Sequence, residues 1–261
     1  MRPDLIPERR VKLNPFSVDL WRKCRETLGL KESPLGAYYT NDKPEGFTPK
    51  PGIQTCMIGY LKRARQDGET VYFDREHFGC PGGAYYMGFV GSPRPNLEYF
   101  LSCGIPGQME GERYVKTPEL AREFIVKRKP SPASAAYCVF KPVEKFQKEE
   151  KPQVVIFFSS PDILSGLFTL TNYALERVDG VYAPFGSGCS TILAYPLKEA
   201  AKEQPQAILG MFDVSARPMV EKNILTLAMP YTVFLKLLEN VSGSFLETES
   251  WKKVYERMQK P

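Results

Sequence analysis

Three of the six cysteines in this sequence occupy positions that suit ligand chemistry. Cys56 falls in the first turns of a predicted amphipathic helix, and Cys80 and Cys189 each follow a glycine where the chain is predicted to turn. Three cysteine thiolates can hold a [4Fe–4S] cluster and leave its fourth iron open to another ligand. We therefore expect these three cysteines to bind an iron–sulfur cluster that serves redox chemistry or activates a small ligand.

Glycines surround two of these cysteines. Cys80 lies in a Gly-Cys-Pro-Gly-Gly run, and Cys189 lies in a Gly-Ser-Gly-Cys-Ser-Thr run that begins a predicted helix. Gly82, Gly83 and Gly188 have no side chain to keep backbone N–H groups away from whatever the sulfurs hold. The free N–H groups of a helix start also favour a thiolate. We expect these three glycines to contribute to cofactor binding.

Other interpretations of the same residues stay open. The glycine-rich turns and nearby aromatic residues are also typical of a metal-free pocket for a small molecule. Alternatively, Cys80 or Cys189 is the nucleophile of a thiol enzyme, or both are simply small buried residues in tight turns. The aromatic residues that suit a pocket wall near Cys80 are Tyr85, Tyr86, Phe89, Tyr99 and Phe100.

A single histidine, His77, limits the metal and catalytic chemistry of the chain. Sites with several histidines are impossible, and Ser-His-Asp catalysis must use His77. Because His77 shortly precedes Cys80, it is a candidate fourth ligand for a three-cysteine zinc site or the partner in a Cys–His dyad. An ordinary loop position is the alternative. The sequence has no Cys-x-x-Cys pair, phosphate loop, Gly-x-Gly-x-x-Gly or Gly-x-Ser-x-Gly motif, so no particular reaction is indicated.

The chain resembles a family of uncharacterised prokaryotic proteins catalogued as domain of unknown function number 169. The residues that carry the resemblance are the helix with Cys56, the run from Gly79 to Ala84, the run from Gly186 to Ser190, and the strand with Gly210 and Phe212-Asp213. The resemblance covers nearly the whole chain and implies that Cys56, Cys80 and Cys189 recur in the family, but it implies no reaction. The long proline-containing arm before Ser17 and the extended loop at residues 141–152 depart from the family pattern.

Composition and charge describe an ordinary globular protein. The 261 residues are 43% hydrophobic and 25% charged, and the formal net charge is +5. Seven basic and three acidic side chains fall in the first 25 residues, so most of the excess charge lies at one end. A dedicated nucleic-acid binder usually carries a basic stripe on its folded body. We therefore expect a small-molecule ligand or a redox partner rather than nucleic acid.

The sequence also argues against a membrane or an exported protein. Its apolar runs are far shorter than the roughly 20 residues that a membrane span needs. The first residues lack the apolar segment of a signal peptide. Six cysteines without such a segment favour free thiols over disulfides. We expect a cytoplasmic protein.

Hydrophobic patterns predict a mixed α/β or α+β fold in a single domain. Residues 1–16, with three prolines, are predicted to form an extended arm, and residues 17–261 are predicted to form the domain. Helices are predicted at residues 17–29, at 53–64 and from Thr117 onward. Strands are predicted at residues 135–140, 153–158, 207–214 and 224–229. We expect a mixed sheet of about five to seven strands covered by helices.

Overall fold

A seven-stranded mixed sheet forms the centre of the computed structural model, which describes residues 16–53, 55–147 and 150–260. The strands are β1 (Leu35–Thr40), β2 (Val71–Phe73), β3 (Tyr137–Pro142), β4 (Val154–Ser159), β5 (Val181–Tyr182), β6 (Ala207–Gly210) and β7 (Leu225–Pro230). Their order is β2-β3-β1-β4-β7-β6-β5, and β5–β6 is the parallel pair in this sheet. The predicted mixed sheet is confirmed, while the predicted arm lies, apart from its last residue, outside the described residues.

The described part of the chain contains nine α-helices. They are α1 (Val18–Leu28), α2 (Met57–Lys62), α3 (Pro81–Tyr86), α4 (Leu97–Leu101), α5 (Pro118–Lys127), α6 (Pro161–Asn172), α7 (Tyr195–Glu199), α8 (Tyr231–Glu239) and α9 (Glu249–Met258). A π-helical turn follows α2 at Arg63–Asp67, and another precedes α7 at Ser190–Ala194. Among the described residues, no helix combines the length and apolar character that a membrane crossing needs.

Strand β4 lies between β1 and β7, near the middle of the sheet that separates the two hydrophobic cores. All of its residues are buried. Because side chains alternate along a strand, Val154 and Ile156 pack on one face of the sheet, and Val155 and Phe157 pack on the other. Burial of each such side chain contributes about 1.5–3 kcal/mol to stability.

The two faces of the sheet are covered differently. Helices α1, α6, α8 and α9 cover the face that we call the closed face, where Trp21, Phe234 and Trp251 pack together. The Phe234 ring centroid lies 6.1 Å from that of Trp21. Helix α2 and the π-helical turn before α7 cover the opposite face, which we call the pocket face, through Met57 and Ile192 among others.

Local capping signals explain the helices that the sequence predicts best. The Ser17 hydroxyl accepts a hydrogen bond from the Leu20 N–H at 3.3 Å, and Gly29 ends α1 with a φ of +69°. Thr117 caps α5 in the same way, and Pro118 occupies its first position. The predicted starts of both helices are therefore confirmed.

Helix α2 begins later than the spacing predicts. It starts at Met57 with Cys56 as its N-cap, and Ile53 is 53% exposed in the turn before it. Cys56 itself has a φ of −53° and a ψ of 131°, which is not helical geometry, so the helix does not extend back through it. The prediction of a helix from residue 53 is wrong in this respect, and Cys56 lies at the helix start rather than inside it.

Strand β6 is shorter than predicted. It ends at Gly210, and Met211 adopts a φ of +68°, which a continuing strand does not allow. Phe212 and Val214 are consequently exposed, at 54% and 68%. The segment after β6 therefore leaves the sheet instead of extending it to residue 214.

Candidate functional site: a cysteine-lined pocket

A cavity of about 430 Å³ on the pocket face has Cys56, Cys80 and Cys189 in its wall. The three cysteines come from three separate segments. Cys56 lies at the start of α2, Cys80 lies at the start of α3, and Cys189 directly precedes the π-helical turn before α7. We call this cavity the cysteine pocket, and its lining also includes Tyr85, Phe100 and Phe185. The structure thus brings together the three cysteines that the sequence singled out.

Two glycines hold the Gly-Cys-Pro-Gly-Gly turn against the start of α2. Gly79 has a φ of +74°, and a Cβ there would stand 2.9 Å from the carbonyl oxygen of Thr55. A Cβ at Gly83 would stand 3.2 Å from the Cβ of Met57. Because Thr55 and Met57 flank Cys56, these close backbone contacts place the turn's cysteine beside Cys56.

Cys80 has the environment of a thiolate. A hydrogen bond from the Cys56 thiol is the main cause that lowers the pKa of Cys80 to about 6, although burial acts in the opposite direction. Backbone N–H groups of Met57, Gly83 and Gly82 add to the decrease, and the Gly83 nitrogen lies 3.3 Å from the sulfur. At neutral pH Cys80 is therefore mostly ionised.

Cys56 keeps the proton that Cys80 gives up. Its hydrogen bond to Cys80, followed by burial and by the charge of Cys189, raises the pKa of Cys56 far above its usual range. The N–H of Ile58 acts in the opposite direction. Near neutral pH the two neighbouring thiols therefore share one proton, and it resides on Cys56.

Cys189 is the most enclosed of the three, with 7% of its surface exposed. Burial first, then the negative charges of Cys80 and Asp213, raise the pKa of Cys189. The Asp213 carboxylate accepts the Gly188 N–H at 3.0 Å, and its other oxygen accepts the N–H and hydroxyl of Ser215 at 3.1 and 2.9 Å. Asp213 thus caps the helix start that carries Cys189, and both of its carboxylate oxygens accept hydrogen bonds.

The three glycines predicted to bind a cofactor lie at different depths. Gly82 lines the cysteine pocket and has open space where a side chain would be. Gly83 lies behind Cys80 and donates to its sulfur. Gly188 also lies outside the lining, and its N–H is directed to Asp213.

Aromatic side chains form much of the remaining lining. Of the predicted residues, Tyr85, Tyr86 and Phe100 line the pocket, whereas Phe89 is buried in the core and Tyr99 is absent from the lining. Sequence analysis missed a second pair of rings, from Phe124 and Phe185, whose centroids are 5.2 Å apart. The available signal was the position of Phe185 directly before the glycine run of Cys189.

His77 belongs to a different cavity, of about 440 Å³. Its Nδ1 lies 2.9 Å from Asp74 Oδ1, and its backbone N–H donates to the same oxygen at 2.8 Å. Asp74 thereby fixes the ring away from the cysteine pocket. The structure does not assemble the zinc site with His77 or the Cys–His dyad that the sequence allowed.

The other three cysteines lie outside the pocket lining. Cys24 and Cys138 are fully buried in the two cores, and burial raises the pKa of Cys24 to about 12. Cys103 is exposed after α4. All six cysteines are free thiols. Within the described ranges, no group of three or more histidine, cysteine, aspartate or glutamate side chains could hold a metal ion.

Fold and site together define a mixed α/β protein with a small pocket lined by thiols and aromatic rings. Comparison with known protein families then identifies the family to which the chain belongs. The DUF169 family, described as uncharacterised ArCR, matches residues 23–240, which is more than half of the chain, and this protein belongs to that family. The resemblance carried by the cysteine runs is confirmed. No curated protein and no solved structure matches the chain significantly.

Proposed function

We propose that this protein binds an iron–sulfur cluster through Cys56, Cys80 and Cys189, and that the cluster serves redox chemistry or activates a small ligand. The observation that carries the proposal is the convergence of three cysteines from three segments on the wall of one pocket. Cys24 and Cys138, by contrast, are buried in the two cores and do not line the pocket.

The donor chemistry of the pocket supports a cluster. Iron–sulfur clusters are held by cysteine thiolates and tuned by hydrogen bonds to the sulfurs. Cys80 already supplies a thiolate with a backbone N–H at 3.3 Å. Cys56 and Cys189 are protonated in the free protein and would release their protons when iron binds.

As they stand, the described side chains form no group of three or more histidine, cysteine, aspartate or glutamate residues that could hold a metal ion. The proposal therefore requires the three cysteine side chains to adjust their positions when iron binds. The volume of about 430 Å³ suits a cluster together with a small ligand at the fourth iron.

A cluster at this position has two uses that fit its surroundings. A cluster held by Cys56, Cys80 and Cys189 would supply an iron for binding a small molecule in the pocket, or would exchange electrons with a redox partner. Both uses need a compartment in which thiols stay reduced. We therefore assign the protein to the cytoplasm.

Anaerobic purification followed by iron and sulfide analysis tests the proposal. After reconstitution, we expect about four irons and four sulfides per chain and a broad absorption band near ~400 nm. Colourless protein that retains no iron after reconstitution would overturn the proposal.

Serine variants identify the ligands. Cys56→Ser, Cys80→Ser and Cys189→Ser each remove one ligand, and we expect cluster content to fall at least ~10-fold in each. Cys103→Ser is the matched control because this cysteine is exposed and lies outside the pocket. A control that loses as much iron as the three variants would contradict the assignment.

A thiol enzyme is a second candidate, and the lowered pKa of Cys80, about 6, favours it. Cys80 is then the nucleophile, and the neighbouring Cys56 thiol stabilises its thiolate by donating a hydrogen bond to it. This candidate needs no metal.

Alkylation by iodoacetamide tests the second candidate on metal-free protein. We expect Cys80 to react first, with a half-maximal rate near pH 6, because the thiolate is the reacting species. Equal and slow alkylation of all six cysteines would rule it out.

A further inference from the structure

Two of the pocket cysteines, Cys56 and Cys80, lie side by side, and both are free thiols. The Cys56 thiol donates a hydrogen bond to the Cys80 sulfur. Cys56 is the N-cap of α2 and Cys80 is the N-cap of α3, so the pair connects the starts of two helices. Two thiols in contact with each other are the reactants from which a disulfide bond forms.

Backbone donors hold the Cys80 sulfur between the two helix starts. The sulfur accepts the Gly83 N–H of its own helix at 3.3 Å, and it also accepts the Met57 N–H of α2. Since Met57 directly follows Cys56, the second hydrogen bond places the sulfur beside the residue that carries the other thiol. The proximity of the two thiols therefore depends on main-chain contacts as well as on the orientation of the side chains.

The third cysteine of the pocket is less well placed for a bond with either of them. The Cys189 sulfur accepts a hydrogen bond from Ser187 and acts on Cys56 and Cys80 through charge. Only 7% of Cys189 is exposed, whereas Cys56 and Cys80 are both partly exposed. Contact and access therefore both favour a Cys56–Cys80 bond over a bond with Cys189.

The remaining three cysteines lie outside the pocket lining. Cys24 packs on the closed face, Cys138 lies in strand β3, and both are fully buried. Cys103 is exposed after α4. A reagent that enters the pocket therefore meets Cys56 and Cys80 rather than these three.

Formation of the bond requires the two sulfurs to approach each other. A disulfide holds its sulfurs about 2.05 Å apart, which is closer than a hydrogen bond brings them. The pocket lies beside the pair, and Gly82, the second residue of α3, has open space where a side chain would be. The start of α3 therefore has room to move as the bond forms.

We propose that Cys56 and Cys80 form a reversible disulfide bond by exchange with a small-molecule disulfide. The Cys80 thiolate attacks one sulfur of the reagent, forms a mixed disulfide and releases the other half as a thiolate. Cys56 gives its proton to that thiolate and attacks the Cys80 sulfur, which releases the second half of the reagent as a thiolate. The two cysteines are oxidised, and the reagent is reduced to a thiol and a thiolate.

The bond would be incompatible with both candidate functions of the pocket. The inference rests on the site of the proposed function, because the disulfide uses two of the three sulfurs that would hold a cluster. It also removes the Cys80 thiolate on which a thiol enzyme would depend. The disulfide is therefore the oxidised, inactive form of the pocket, and reduction restores the active form.

Thiol mapping of the metal-free full chain tests the pair, with 2-hydroxyethyl disulfide as the probe. After exposure to the probe, free thiols are blocked with N-ethylmaleimide, and peptides are analysed by mass spectrometry without reduction. We expect the Cys56–Cys80 linkage to exceed every other linkage at least ~10-fold, and dithiothreitol to restore both thiols. Predominant linkage of Cys189, mixed disulfides with the probe alone, or no linkage would overturn the proposal.

Serine variants separate contact between the thiols from general reactivity. Cys56→Ser should stop at a mixed disulfide on Cys80, because the thiol that attacks in the second step is absent. Cys189→Ser should retain the Cys56–Cys80 linkage, and Cys103→Ser is the matched control for an exposed thiol outside the pocket. Loss of all linkage in Cys189→Ser would assign the disulfide to Cys189 and contradict the proposal.

Comparison of metal-free with reconstituted protein separates this proposal from the cluster. Protein that stays colourless after reconstitution and forms the linkage contradicts the cluster and supports the disulfide. Brown protein whose metal-free form does not link Cys56 to Cys80 supports the cluster and overturns the disulfide. Where both form, brown protein should be linked at least ~10-fold more slowly than metal-free protein, since iron holds its sulfurs. Equal rates would overturn the incompatibility of the two states.

Discussion

The closed face and the pocket face each hold a cysteine in a protected position, and the two thiols behave in opposite ways. Cys24 lies on the closed face, where burial alone raises its pKa to about 12. Cys80 lies on the pocket face, where the Cys56 thiol and backbone N–H groups outweigh burial and lower its pKa to about 6. Hydrogen-bond donors, rather than depth, therefore decide which cysteine is ionised.

The same contrast holds for the two cores. On the closed face, large rings such as Phe234 and Trp21 fill the space between helices and sheet. On the pocket face, short helices and glycine-rich turns leave a cavity with thiols, aromatic rings and Arg94 in its wall. Both sides of the sheet thus bury an extensive core, and the cysteine pocket lies on one of them.

The largest expected difference is in alkylation rate. In metal-free protein at pH 7, iodoacetamide should modify Cys80 at least ~1,000-fold faster than Cys24, because a core thiol reacts only after an unfavourable opening. Mass spectrometry of peptides from samples quenched over time measures both rates. Comparable rates would mean that the two faces do not differ as described.

A core substitution should separate stability from chemistry. Phe234→Ala removes a fully buried ring from the closed face, and we expect the free energy of unfolding to fall by about 3–5 kcal/mol. Urea denaturation measures the loss. The pKa of Cys80 should stay at about 6, since Phe234 is not among its causes.

The control for this substitution is on the pocket face. Phe185→Ala removes a ring that is 56% exposed, so its effect on stability should stay below about 1 kcal/mol. A shift of the Cys80 pKa in Phe234→Ala would show that the two faces are coupled.

Removing the partner thiol should make Cys80 an ordinary cysteine. In Cys56→Ala the main hydrogen bond to the Cys80 sulfur is lost, and we expect its pKa to rise from about 6 toward the usual value near ~8.5. The pH dependence of alkylation gives the midpoint. An unchanged midpoint would assign the lowered pKa to the backbone N–H groups alone.

The sign of the accompanying stability change follows from linkage. A group whose pKa is lower in the folded state stabilises the fold above its unfolded pKa, and that contribution is lost as pH falls through the folded value of about 6. Ionisation of Cys80 contributes to the difference in the free energy of unfolding between Cys56→Ala and the unaltered protein. This contribution should therefore disappear below that pH.

The smallest expected effect distinguishes two adjacent glycines in α3. Alanine stabilises a helix by about 0.5–1 kcal/mol relative to glycine, and Gly82→Ala should show that gain because its surroundings are open. At Gly83 the new Cβ would stand 3.2 Å from Met57 Cβ, so Gly83→Ala should lose the gain and raise the pKa of Cys80. Equal stability and equal midpoints in both variants would contradict the close packing.

Much of the fold was predictable because its signals are local. Ser17 and Gly29 bound α1, and Thr117 with Pro118 starts α5, through caps that involve neighbouring residues only. The start of α2 and the end of β6 were misplaced. The non-helical backbone of Cys56 and the left-handed conformation of Met211 override the hydrophobic spacing that the prediction used.

The candidate site was predictable in part. The glycine runs identified Cys80 and Cys189 because such turns need their glycines for backbone geometry. The aromatic part of the lining was less predictable, since the rings of Phe124 and Phe185 meet from segments that are distant in sequence.

The contact between Gly79 and Thr55 has a kinetic consequence. Main-chain atoms, rather than mobile side chains, set the position of Cys80 beside Cys56. The conformational entropy of arranging the pair is therefore lost when the chain folds, not when a ligand arrives. Uptake of any ligand by this pair should be limited by encounter, with a rate that rises in proportion to ligand concentration and shows no plateau from a slow rearrangement.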